Sequence, residues 1–284
     1  MPFVYFPLNI IKWILYTSLF AALCAVGLCM ASEKLILGHL PEIGNPLHLF
    51  VLVNTLCIYN LHYYLKKPGG HSDRARWSQA HRRQHLYLIG ISASISFFLL
   101  FVLPFPVLAC SALLGLLSLA YSIPFLPFPN KKRLRDWGIL KLLLLVTVWT
   151  GVTVSMPLLY WNKPWEPFKV EFMLRFVFMM PLCIAFDIRD CETDSAQHVV
   201  TLPNAIGLEN SYRTMYGSLL AFVILAVWQY TRYPAAEGRL PGAVITALMA
   251  AVIFALVRVR RSDVFFLLLV DGLMLVYSAF IFLL

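Results

Sequence analysis

The sequence predicts an all-α fold, a polytopic membrane bundle of nine transmembrane helices in one domain spanning 1–284, and three observations predict it. Hydrophobic residues fill 60% of the positions and charged ones 13%, far from the half-apolar, quarter-charged balance of a soluble domain. Apolar runs of the roughly 17 to 25 residues that cross a bilayer as helix recur nine times. Finally, Lys and Arg alternate in density from one connecting segment to the next, as topology requires.

The first run, 10–30, carries Lys12 and lacks a small-residue cleavage site after a short apolar stretch. It therefore reads as a retained span and not as a signal peptide. Runs 44–64, 86–103 and 105–125 come next, the last two parted only by Val102-Leu103-Pro104-Phe105-Pro106, where proline interrupts helical hydrogen bonding. Runs 138–160, 171–186, 214–230, 241–258 and 263–284 complete the set.

With the N-terminus inside, sixteen Lys and Arg fall on cytoplasmic segments, from Lys12 to Arg261, and only Lys34, Lys163, Lys169, Arg232 and Arg239 fall outside. An even number of spans scrambles this asymmetry. The net charge of +9 is then topology plus attraction to anionic lipid, with no nucleic-acid partner implied. Cys24, Cys29, Cys57, Cys110 and Cys183 lie within spans and act as small apolar residues, while Cys191 lies outside them. They form neither a disulfide framework nor a zinc spacing. The two longer loops, 65–85 and 187–213, are both cytoplasmic, so that face is where chemistry is expected.

The second of these loops opens on Asp187-Ile-Arg-Asp190-Cys-Glu-Thr-Asp194. At 100° per residue, Asp187, Asp190 and Asp194 share a helix face within a sector of roughly 60°. Unpaired carboxylates so placed repel one another, and at the end of a membrane span they are costly. Hard oxygen ligands of this kind suit Mg²⁺, which is held by carboxylates together with substrate phosphates. The competing reading is a solvated acidic face paired with Arg189 and Arg213.

Asp187-x-x-Asp190-x-x-x-Asp194, followed by Thr201-Leu202-Pro203 and Gly207, resembles an aspartate-rich motif of the UbiA superfamily of intramembrane prenyltransferases. Tyr121-Ser122-x-Pro124 and Lys131-Lys132-Arg133-Leu134 are similar to that family's tyrosine-serine-proline segment and the basic residues after it. The resemblance implies helices around a central, lipid-accessible cavity, with Asp187, Asp190 and Asp194 as Mg²⁺ ligands. It also implies that Lys131 and Lys132 contact diphosphate, with Arg133 and Arg135 as alternates. The family's first aspartate-rich motif is altered here: Asn60 is in place, but Leu61, Tyr64 and Pro68 stand in the acidic slots. Either Asn60, His62 and Asp73 rebuild a metal site, or Lys66 and Lys67 hold phosphate directly.

Other residues complete the expected site. Arg74 and Arg76 are phosphate candidates in the first loop, and Lys141, one turn into its span, reaches the same region by snorkelling. Tyr63, Tyr64, Tyr121, Phe125, Trp149 and Phe186 offer aromatic faces to a carbocation, with Tyr121 foremost, and Asn54 is a cavity-lining candidate deeper in span two. Asp271 is a carboxylate within span nine, expected to face the interior, and Arg175 is expected to snorkel outward.

The function implied is an integral-membrane, Mg²⁺-dependent prenyltransferase that ionises a polyprenyl diphosphate and passes the prenyl group to a hydrophobic or aromatic acceptor. A membrane terpene cyclase of the same fold is the nearer alternative. A non-catalytic lipid-binding or transport relative is the other.

Overall fold

Each apolar run ends where a proline, a glycine or a cluster of polar groups meets it, and helices form between these breaks. The protein is described as a computed structural model covering residues 5–65, 72–122, 138–196, 199–232, 239–260 and 262–283. Lys66, Lys67, Pro68, Pro124, Phe125, Lys131, Lys132, Arg133 and Arg135 lie outside the described residues.

The expected first span does not run unbroken over 10–30. Helix α1 covers Tyr5–Tyr16 and α2 covers Leu19–Leu37, with Ser18 between them in the left-handed region at φ 63°. The break leaves polar groups inside the bundle, and other segments satisfy them. Asn60 Nδ2 donates to the Thr17 carbonyl at 2.9 Å, and an Arg74 guanidinium nitrogen donates to Ser18 Oγ at 2.6 Å. The apolar segment long enough to cross a membrane is therefore α2.

Helices α3 (Pro46–Leu65), α5 (Arg82–Leu99) and α6 (Phe105–Ser122) come next, with the short α4 (Asp73–Ala80) between α3 and α5. Ser72 starts α4 by accepting the Ala75 N–H at 3.2 Å, satisfying one orphan donor of the first turn. Helix α7 (Ile139–Thr150), a π-helical turn at Gly151–Ser155 and α8 (Met156–Tyr160) form one rod. Helix α9 (Lys169–Ala196) runs through Pro181 and carries the acidic motif near its end. The chain closes with α10 (Leu202–Ile206), α11 (Leu208–Arg232), α12 (Arg239–Val257), α13 (Asp263–Phe265), a π turn at Phe266–Val270 and α14 (Gly272–Leu283).

Among the described residues, six helical stretches are long and apolar enough to cross a membrane: α2, α6, the α7–α8 rod, α11, α12 and the α13–α14 rod. The other three expected spans fold as α3, α5 and α9 at the expected positions, and these carry more polar groups. On the outside, Leu220 and Ile224 of α11 and Leu248 and Val252 of α12 are each about three-fifths exposed. Apolar stripes of that extent suit lipid, not water.

Among the described residues two large buried clusters share α2, and a third, small one joins Leu15 and Tyr16 of α1 to Leu267. Leu28, Phe178, Phe222, Phe254 and Tyr277 join α2, α9, α11, α12 and α14. Ala25, Leu47, Phe50, Val107 and Met156 join α2, α3, α6 and α8. Glycine lets two crossings pack closely: a Cβ on Gly27 would meet a Leu275 methyl at 2.9 Å, and one on Gly151 a Leu114 methyl at 2.8 Å, so that leucine would have to shift. Members of both clusters wall a single large cavity.

Candidate active site

The cavity has a volume of about 760 Å³, the scale of a small-molecule site. Its charged end is built by α9. Asp187 and Asp194, two turns apart on one face, both reach Lys141 of α7, whose Nζ lies 2.8 Å from Asp187 Oδ1 and 2.9 Å from Asp194 Oδ2. Lys141 thus arrives where the sequence pointed, bridging two carboxylates instead of standing free for phosphate. Asp190 turns aside to Arg189, which binds it through Nε at 2.7 Å and Nη2 at 2.9 Å.

Arg189 also faces Asp263 at 3.5 Å, and Asp263 accepts the Arg74 backbone N–H at 2.7 Å. Asp263 sits in the first turn of α13, behind the cap Ser262. It ties three chain segments at the cavity mouth, a role its position as the acid after a capping serine hints at but does not reveal. The Arg74 guanidinium stacks on the Tyr63 ring at 3.8 Å, while Arg76 pairs with Asp73 away from the cavity. Arg213 pairs with Glu209 at 3.8 Å, so the acidic face is balanced by Arg189 and Lys141 and not by Arg213.

The three aspartates do not gather around one point. Among the described residues no group of three or more His, Cys, Asp or Glu side chains is placed to hold a metal ion. The reason is local: Lys141 takes two of the carboxylates and Arg189 the third. Asp187 Oδ2 is nonetheless buried and, among the described residues, without a hydrogen-bond partner. With Asp194 beside the same lysine, the donor set is a carboxylate pair, which fits Mg²⁺ shared with a substrate phosphate.

Asn60 engages its amide in hydrogen bonds within the bundle. It is fully buried, its Nδ2 donates to the carbonyls of Thr17 and Leu56, and its Oδ1 accepts from His85 Nδ1 at 2.6 Å. The two ends of its amide tie α3 to the break between α1 and α2 and to α5. His62 borders the cavity against Ser122 Oγ at 3.1 Å, whereas Asp73 is exposed on Arg76, so Asn60, His62 and Asp73 do not converge.

Tyr63, Tyr121, Trp149 and Phe186 line the cavity as expected, and Tyr59 joins them. Tyr64 instead lies under Arg82 at 4.4 Å. Asn54 borders the cavity and donates to the Phe50 carbonyl and Ser96 Oγ at 2.8 and 3.0 Å. Arg175 does not snorkel outward: it is fully buried, reaching the Leu28 carbonyl at 3.1 Å, Ser32 at 3.3 Å and Glu171 at 3.2 Å.

No protein-family model matches the sequence, and no curated protein matches it either. In structure the chain is similar to a UbiA homolog from Archaeoglobus fulgidus bound to GPP and Mg²⁺, at TM-score 0.67 and 12% identity over 96% of this chain and 100% of that one. The chain has a UbiA fold. It is similar, too, to the apo UbiA homolog from Aeropyrum pernix K1, at TM-score 0.58 and 14% identity over 96% and 98% of the two chains. A digeranylgeranylglyceryl phosphate synthase matches at TM-score 0.57 and 14% identity, over 96% of this chain and 99% of its own. In this UbiA fold, the cavity and the Asp187 cluster occupy the bundle interior described above.

Proposed function

We propose that the chain is a nine-span intramembrane prenyltransferase of the UbiA superfamily, acting on a polyprenyl diphosphate with Mg²⁺ at the Lys141 end of the cavity. The supporting observation is the division of that cavity: most of its charged side chains cluster around Lys141 and Arg189, and aromatic and aliphatic side chains make up most of the remaining wall. An amphiphile with a diphosphate head and an isoprenoid tail matches such a division. Orientation by basic residues puts the charged end, and the N-terminus, on the cytoplasmic side.

In the reaction proposed, the allylic C–O bond breaks and its electron pair leaves on diphosphate. The allylic cation then bonds to the acceptor, which loses a proton. Asp187 and Asp194, with Asp190 on the same face, are the residues that would hold Mg²⁺, which when bound neutralises the leaving diphosphate. Lys141, Arg74 and Arg189 add fixed positive charge at the same end. Lys66, Lys67, Lys131, Lys132 and Arg135 are proposed to extend it. The Tyr63, Tyr121, Trp149 and Phe186 rings exclude water and present π faces to the cation, each contact worth up to ~2 kcal/mol when desolvated.

The test is product analysis of purified protein given prenyl diphosphates of increasing chain length with Mg²⁺, with and without aromatic acceptors. Prenylated acceptor with released diphosphate is expected. A cyclic hydrocarbon made without acceptor assigns a terpene cyclase instead, and failure to bind any prenyl diphosphate overturns the reading.

A further inference from the structure

A second polar feature borders the cavity away from the charged cluster. Asp271 comes directly after the π turn Phe266–Val270, its N–H bonding back to the Phe266 carbonyl at 3.1 Å. The extra residue of a π turn rotates the next side chains about the helix axis, and such turns are frequent at functional sites. Asp263 stands at the level of Arg189, so Asp271 lies about 12 Å further along the rod at ~1.5 Å per residue.

Asp271 is 9% exposed and borders the cavity. Among the described residues its carboxylate takes part in no hydrogen bond and no ion pair. The cations acting on it, Arg74 and Arg189, belong to the charged end. Asn54 and Ser96 elsewhere on the wall differ, because they satisfy each other at 3.0 and 3.2 Å. A buried carboxylate left without a donor is costly, and an ionised one accepts but cannot donate. Tyr59 lies within electrostatic range of Asp271, and its ring meets Trp149 edge to face at 6.4 Å. A flat apolar group finds aromatic walls here.

We propose that Asp271 recognises the acceptor: it takes a hydrogen bond from the hydroxyl or amine of an otherwise apolar, ring-bearing molecule seated by Tyr59 and Trp149. This assignment rests on the transferase reading and adds to it the acceptor's chemical class. Asp271 is a specificity residue set further along the cavity wall than the diphosphate site.

The test uses full-length protein in lipid nanodiscs and two probes, β-naphthol and its methyl ether, which differ in the O–H donor. Wild-type protein is expected to bind β-naphthol about tenfold or more tightly than the ether, the span of a hydrogen bond to a charged group. Asp271→Leu should erase that preference, and Asp271→Asn, which keeps a carbonyl acceptor, should retain part of it. Equal affinities for wild type, or a preference surviving in Asp271→Leu, overturn the proposal. Binding of a prenyl thiodiphosphate is measured alongside. If it binds while the probes are not distinguished, the acceptor assignment alone fails. If the probes are distinguished but no prenyl thiodiphosphate binds, the transferase reading fails and takes the acceptor role with it.

Discussion

The two ends of the bundle both bury charge, and they use it differently. At the end away from Lys141, Glu33 is fully buried, with its carboxylate shared among Trp161 at 2.7 Å, Asn45 at 3.1 Å and His48. Arg175 there is sealed between Glu171, Ser32 and the Leu28 carbonyl. None of these side chains borders the cavity. At the Lys141 end, Asp187, Asp190, Asp194, Lys141 and Arg189 all border it, and among the described residues Asp187 Oδ2 has no hydrogen-bond partner. Buried charge therefore does not by itself mark a site. What marks it is charge facing open volume with bonding capacity to spare.

That contrast can be broken first at the sealed end. Arg175→Met leaves Glu171 buried without its cation, and breaking a buried pair in this way costs roughly 3–5 kcal/mol. The melting temperature should fall sharply while the affinity of the folded fraction for prenyl diphosphate stays at the wild-type value. A parallel loss of affinity would show that the two ends are not separate.

The open end should respond in the opposite way. Asp187→Asn removes a negative group from the carboxylate pair, and turnover is expected to fall by about 10²–10³-fold, comparable to deleting one group that stabilises charge in a transition state. Thermal stability should fall less than in Arg175→Met, because Lys141 keeps its pair with Asp194 at 2.9 Å. Asp190→Asn should cost less, since Asp190 is already held by both Arg189 nitrogens. Turnover unchanged in Asp187→Asn at saturating Mg²⁺ would remove the metal reading.

A smaller effect isolates Lys141 itself. In excess EDTA, Lys141→Ala should weaken prenyl diphosphate binding relative to the matching prenyl alcohol by roughly 1.5–3 kcal/mol, the worth of a hydrogen bond to a charged group. Isothermal titration with both ligands reads the difference. Equal losses for the two would mean that Lys141 only steadies the aspartates.

Much of this was legible in the sequence, and the misses share a cause. Helix positions derive from apolar run length, so among the described residues each later run overlaps a helix, although α9 continues to Ala196, well past the expected end at 186, while the first is displaced by the left-handed turn at Ser18. That break is stabilised from elsewhere, by Asn60 and Arg74, which no local pattern reveals. The acidic face of α9 was legible from spacing, but which cation each aspartate takes was not, because Lys141 lies far away in sequence. The hydrogen bonds that Asn60 makes to Thr17, Leu56 and His85 were not legible either, because Thr17 and His85 lie far from it in sequence. Arg175 was misplaced for the complementary reason: its partners Leu28 and Ser32 come from α2.

The Asn60 tie carries the smallest prediction, and it separates a packing role from a ligand role. His85 Nδ1–H donates to Asn60 Oδ1 at 2.6 Å. His85→Ala leaves that oxygen without its donor, and the loss should lower stability by roughly 1 kcal/mol. His85→Gln, whose amide can still donate, should recover part of the melting temperature. Prenyl diphosphate affinity of the folded protein should stay at the wild-type value in both variants. If His85→Ala melts like wild type but binds Mg²⁺ and prenyl diphosphate more weakly, the Asn60 amide serves the ligand site and not the packing of the bundle.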